Sequence, residues 1–286
     1  MKITRLLPLL TAVLLATAAG SAQDTGHQEH ADRMAHEHRD DAPVANPGSQ
    51  TEPAVPVVAE DVSYATIDDG PITGYLARPQ DHDGPLPGLI VIHEWWGLND
   101  NIRAMTRRLA GEGYVALAVD LYGGKTADDP TAARQMMVTV GDSPETAANN
   151  LRQAFEYLRK EQNAPKVASI GWCFGGGWSL EAALLLPEQL DAVVIYYGRV
   201  VTDRARLDTL NMPILGIFGG KDRGIPLTDV KIFEGTLAAL GKDATIIVYP
   251  DADHAFANPS GHNWNPQAAA DAWRDTVEFL AKHLRQ

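Results

Sequence analysis

Thiol chemistry is nearly absent from this chain: Cys173 is its single cysteine in 286 residues. An internal disulfide is therefore excluded. Basic residues are also few, with 24 Lys and Arg against 37 Asp and Glu and a formal net charge of −13. Nucleic-acid binding needs a basic footprint and is not expected, and attraction to an anionic membrane is disfavoured for the same reason. Long apolar runs are missing as well. The run near the start, Leu6–Ala18, covers about 13 residues, short of the ~20 that a membrane-spanning helix takes.

That run has another meaning. Lys2 and Arg5 precede it and Gly20-Ser21-Ala22 follow it, so Met1–Ala22 reads as a secretory signal peptide. No Arg-Arg pair precedes it and no cysteine follows it closely, so neither a twin-arginine route nor a lipid anchor is expected. The mature chain is expected to be exported, periplasmic or secreted. In an oxidising compartment, a solitary cysteine points to a functional thiol or an intermolecular bridge.

Residues 23–61 hold nine acids and two bases, broken by Pro43, Pro47, Pro53 and Pro56. They read as a solvated, largely disordered leader. Its His27, His30, His36 and His38 either capture metal weakly or do nothing specific. From residue 62 to 286 the pattern is that of one domain. Val62–Ile67 and Ile72–Pro79 predict a hairpin around Asp68-Asp69-Gly70-Pro71. The apolar runs Leu86–His93, Tyr114–Leu121, Val167–Ile170, Ala192–Tyr197, Ile214–Phe218 and Thr245–Tyr249 read as buried strands. They alternate with helical patterns, which predicts an α/β fold: a mostly parallel sheet with helices on both faces.

The chain is organised around Lys166–Leu180, KVASIGWCFGGGWSL. A strand ends at Gly171, turns through Trp172-Cys173-Phe174 and enters a helix at Gly175-Gly176-Gly177. This is G-x-C-x-G, a nucleophile elbow with cysteine in place of serine. Its tight turn demands small residues two before and two after the nucleophile. Two plainer readings exist: a free cysteine used as a small core residue, and a Gly-rich turn that binds phosphate. Three further strands end in reactive residues: Glu94-Trp95-Trp96-Gly97, Gly220-Lys221-Asp222 and Asp251-Ala252-Asp253-His254. Cys173, Asp222 and His254 stand in the order nucleophile, acid, histidine, 49 and 32 residues apart. That is the chain order of the α/β-hydrolase triad, in which a base activates the nucleophile and a carboxylate orients the base. Asp251 and Asp253 are rival orienters. Asp120 and His93 read as structural, and Ser179 lies too deep in the elbow helix to be the nucleophile. The loop Pro259–Pro266, with His262 and Trp264, is a candidate cover for the cleft.

From about Val62 to Leu284 the chain resembles the dienelactone hydrolase family of α/β-hydrolases. The resemblance is carried by His93-Glu94-Trp95-Trp96-Gly97-Leu98-Asn99, Gly171-Trp172-Cys173-Phe174-Gly175-Gly176, Gly219-Gly220-Lys221-Asp222 and Asp253-His254-Ala255-Phe256. It implies Cys173 as nucleophile, His254 as base and Asp222 as its orienter. It also implies that Glu94 contacts the resting thiol and that the N–H groups of Phe174 and Trp95 form the oxyanion hole. Well-studied members hold an anionic lactone with arginines, one of them four residues after the histidine. Here Asn258 stands at that place, and Arg134 is the nearest candidate for a second clamp. With Trp95, Trp96 and Trp172 near the site, a less anionic, more aromatic ester is expected. The reading is a hydrolase of a small ester or lactone, monomeric or a small homo-oligomer, with no metal or organic cofactor. Its rivals are a broad carboxylesterase or thioesterase on the same triad, and a non-catalytic exported binding protein with a metal-capturing leader.

Overall fold

A computed structural model describes residues 26–44 and 51–285. The expected export segment, Met1–Ala22, lies outside them. In chain order the elements are α1 (26–37), β1 (Val57–Ile67), β2 (Gly70–Pro79), β3 (Gly88–Ile92), α2 (Asp100–Gly111), β4 (Val115–Val119), α3 (Pro130–Asp142) and α4 (Pro144–Lys160). Then follow β5 (Val167–Trp172), α5 (Phe174–Leu185), β6 (Ala192–Tyr196), α6 (Arg204–Asp208), β7 (Ile214–Gly219), α7 (Leu227–Ala239), β8 (Ala244–Tyr249) and α8 (Pro266–Leu284). Among the described residues, no helix is long and apolar enough to cross a membrane.

The eight strands form one mixed sheet in the order β1-β2-β4-β3-β5-β6-β7-β8. β1 and β2 make the expected hairpin, turning at Asp68 and Asp69 with φ of 47° and 61°. Two positive φ angles are what a two-residue hairpin turn of the favoured hand requires. β2 is antiparallel to β4, and every later pairing is parallel. The buried strands are apolar on both faces because helices cover both. Along β3, Leu89 and Val91 join a core with α2 and α8, while Ile90 and Ile92 join a second core with α4, α5 and α7. Side chains alternate across a strand, so one apolar run feeds two cores. The chain has the α/β-hydrolase fold.

Two departures from the sequence reading matter. β1 starts at Val57, because Val57 already pairs with Pro79, so the domain begins earlier than residue 62. More important, residues 26–44 are not a free, disordered leader. α1 buries His30, Ala31 and Met34, and His38 is buried in the turn after it. With the half-buried His27, these positions recur at helical spacing and form one stripe. The stripe escapes a hydropathy reading because three of its five members are histidines.

Candidate active site

Parallel strands deliver their loops to one end of the sheet, where α/β proteins bind ligands. Cys173 sits there between β5 and α5, with φ 55° and ψ −117°. Such a backbone is sparsely populated, and its strain persists only where the surroundings enforce it. Here close packing does so: a Cβ on Gly171 would run into the backbone of Gly175, and one on Gly175 into the carbonyls of Ile92 and His93. The Cys173 N–H donates to Tyr196 O at 3.0 Å, which ties the turn to β6. Cys173 is 5% exposed.

His254, after β8, is 1% exposed. Its Nδ1–H donates to Asp222 Oδ2 at 2.7 Å, and Asp222 Oδ1 accepts from the Ile225 N–H at 2.8 Å. Both carboxylate oxygens are thus committed, which fixes the imidazole tautomer. Nε2 is buried without a hydrogen-bond partner among the described residues, and His254 lines the same small cavity as Cys173. Burial disfavours the imidazolium, but Asp222 and Cys173 outweigh it and hold His254 well above the ordinary histidine value. The rival acids are occupied elsewhere. Asp253 Oδ1 accepts from the His254 N–H at 2.8 Å, and Asp251 pairs with Lys221.

Glu94, after β3, does not hydrogen-bond to the thiol. Its Oε2 accepts from Asn258 Nδ2 at 2.8 Å. Chiefly through burial, its acid is pushed up to about 7. Among the described residues, the N–H groups of Trp95 and Phe174 find no backbone acceptor. His93 is structural: its Nδ1–H donates to Glu94 O at 2.6 Å, and Nε2 accepts from the Leu121 N–H. Asp120 holds the loop after β4 by accepting from the N–H groups of Tyr122 and Gly124. Ser179 donates to Val194 O inside the fold.

Two cavities meet at Glu94 and Asn258. One, of about 10 Å³, is walled by Cys173, His254, Trp95 and Trp96 and closed by His38, Asp41 and Ala42 of the leader. The other, of about 190 Å³, is walled by Trp172, Tyr196, Tyr197, Trp264, Trp273 and Arg108 among others. Trp264 thus brings the Pro259–Pro266 loop to the edge of the cleft. Arg134 reaches neither cavity. From α3 it points to the leader, where Nε donates to Asp32 Oδ1 at 2.6 Å. No group of three or more His, Cys, Asp or Glu among the described residues could hold a metal ion.

Tyr197 has no counterpart in the sequence reading. Its φ is 35°, its ring lies edge-on to that of His254 at 5.2 Å, and its buried hydroxyl has no partner among the described residues. The leader turn around His38 and Asp41 is likewise an addition of the structure to this site.

Known proteins share this architecture. The family model described as "Dienelactone hydrolase family" matches residues 72–284. A protein of Escherichia coli strain K12 called "Putative carboxymethylenebutenolidase" is 34% identical over 259 residues, which cover 85% of this chain and 94% of that one. One of the same description from Saccharolobus solfataricus is 32% identical over 254 residues, covering 75% and 95%. The crystal structure titled "Putative Dienelactone Hydrolase" from Klebsiella pneumoniae superposes with a TM-score of 0.72 at 31% identity, covering 79% of this chain and 99% of that one.

Proposed function

Since the chain belongs to the dienelactone hydrolase family and is a hydrolase, we propose that it is an exported enzyme that opens a lactone or cleaves an ester through a Cys173 acyl-enzyme. The observation that carries this reading is the buried Asp222–His254 pair beside a cysteine on a strained elbow. His254 Nε2 takes the thiol proton, and the thiolate attacks the carbonyl carbon. The N–H groups of Trp95 and Phe174 stabilise the oxyanion, a contribution that is typically worth ~10²–10³ in rate per donor. The C–O bond breaks, the leaving oxygen takes the proton from His254, and water then hydrolyses the thioester. Glu94 stands between the two cavities and must turn aside for substrate to pass.

The aromatic cavity favours a substrate whose non-reacting part is apolar or aromatic. Asn258 supplies no positive charge where the resemblance would place an arginine, so dienelactone-like anions lose a clamp. This supports an esterase of wider scope on the same triad.

The test compares wild type with Cys173→Ala on p-nitrophenyl acetate and on dienelactone, with chelator present. Loss of several orders of magnitude in the variant is expected, with less than a tenfold preference of the wild type for dienelactone in kcat/KM. Equal turnover by the two proteins would overturn the thiol mechanism, and no turnover by either would favour the binding-protein reading.

A further inference from the structure

The turn after α1 lies over the reacting groups and holds a buried atom without a partner. The His38 ring is 5.0 Å from that of His254 and 5.6 Å from that of Trp95. Its Nδ1–H donates to Asp41 Oδ2 at 2.7 Å, and the other Asp41 oxygen accepts from His262. With the proton fixed on Nδ1, Nε2 presents a lone pair. That nitrogen is buried and meets no donor among the described residues. His38 borders the same cavity of about 10 Å³ as Cys173 and His254, room for about one water molecule. A buried polar atom left unpaired is costly, and in a native protein it calls for an explanation.

The arrangement repeats the one below it. His254 is oriented by Asp222, and His38 is oriented by Asp41, both through Nδ1. The leader is also firmly seated. Ala31 and Met34 are fully buried in the core, and Asp32 pairs with Arg134. Burial draws the His38 imidazole below its ordinary value in spite of Asp41, which keeps it a neutral base.

We infer that His38, oriented by Asp41, is a second general base of this site and holds and deprotonates the water that hydrolyses the acyl-Cys173 intermediate. The inference rests on the proposed thiol mechanism. In this step the water oxygen bonds to the thioester carbonyl carbon while a water proton passes to His38 Nε2. The C–S bond then breaks, its electron pair stays on Cys173 as thiolate, and the acid product leaves. His38 returns its proton to solvent. His254 serves the first half-reaction, in which a proton moves between sulfur and the leaving oxygen.

The test uses the full chain with His38→Ala and His38→Gln, followed by stopped flow on p-nitrophenyl acetate. The expected result is a burst of one p-nitrophenolate per site, then turnover ~10²-fold or more below wild type, the range that general bases supply. Cys173 should accumulate as its acetyl thioester in the mass spectrum, and Asp41→Asn should act in the same direction. The retained burst reports a folded site. Unchanged turnover overturns the inference, as does a rise in both phases, which would make the leader an obstruction. An equal fall in both phases also overturns it. A Cys173→Ala variant as active as wild type would instead overturn the thiol mechanism, and the inference with it.

Discussion

Asn258 Nδ2 holds Glu94 Oε2 at 2.8 Å, so the one carboxyl that borders both cavities among the described residues is gripped from the loop that carries His254. A neutral amide thus stabilises Glu94 without neutralising it. Burial keeps the acid near 7, the Asp41 charge pushes in the same direction, and His254 and the Asn258 bond pull it down.

Asn258→Arg places a guanidinium against Glu94 and at the mouth of the aromatic cavity. A full positive charge there favours substrates that carry a carboxylate. The kcat/KM ratio of dienelactone to p-nitrophenyl acetate is expected to rise about tenfold, worth about 1.4 kcal/mol of differential transition-state binding. An unchanged ratio would show that position 258 does not contact substrate.

Glu94→Gln tests the buried acid through stability. The folded acid lies near 7 and its ordinary value is 4.5, so the folded chain holds this proton to higher pH than the unfolded chain. Wild type therefore loses stability as pH rises from about 4.5 to about 7, and the loss is constant above that. The gap corresponds to about 3 kcal/mol at most. Glutamine carries no such penalty. In urea titrations, the stability of the variant relative to wild type should grow by about 1–3 kcal/mol between pH 4.5 and pH 8. A difference flat in pH would place Glu94 at ordinary acidity.

Much of this was legible because it rests on local rules. Apolar runs flanked by turn residues fixed the strands from Leu86 to Tyr249, and Gly171 and Gly175 announced the elbow. Chain order was enough to bring out Cys173, Asp222 and His254. Contacts between distant segments were not legible. Arg134 lies at a helical position that sequence alone cannot aim, and it points to Asp32. The α1 stripe of His27, His30, Ala31, Met34 and His38 has helical spacing but not the usual apolar composition, so charge and proline content dominate the reading. The partner of Glu94 depends on the path of the loop after β8, which periodicity does not describe.

Two glycine substitutions should have opposite signs. At Gly175 an added methyl meets the carbonyls of Ile92 and His93, which belong to backbone and cannot swing away. Gly175→Ala is expected to cost about 2–3 kcal/mol and to lower activity by displacing the elbow. Gly235 lies inside α7 with no atom within 4 Å of an added Cβ. Gly235→Ala is expected to stabilise by about 0.5–1 kcal/mol, since alanine restricts the unfolded chain and favours helix. Urea midpoints read both.

Tyr197→Phe removes a buried hydroxyl that lacks a partner among the described residues and keeps the ring on His254 and Phe256. Deleting an unpaired buried polar group is neutral or stabilising. The midpoint should therefore stay or rise, by no more than about 1 kcal/mol. A drop of that size would reveal a hydrogen bond that the hydroxyl makes in the resting protein.

Asp222→Asn separates orientation from charge at His254, the base of the proposed mechanism. The amide oxygen of the variant can still accept a hydrogen bond from His254 Nδ1–H. Its amide nitrogen can equally donate, and then Nδ1 becomes the acceptor and the proton moves to Nε2. That tautomer cannot take the thiol proton. The loss of charge also removes what holds the imidazolium well above its ordinary value. Both effects strike kcat, and a fall of ~10²–10⁴ with little change in KM is expected by analogy with other triads. The lost ion pair also lowers stability below the pH at which folded His254 titrates, because a raised histidine stabilises the fold only while it is protonated. Asp253→Asn is the control: that residue binds the His254 backbone N–H rather than its ring, so kcat should fall by less than about tenfold, below what a general base supplies. A larger loss from Asp253→Asn than from Asp222→Asn would reassign the orienting carboxylate.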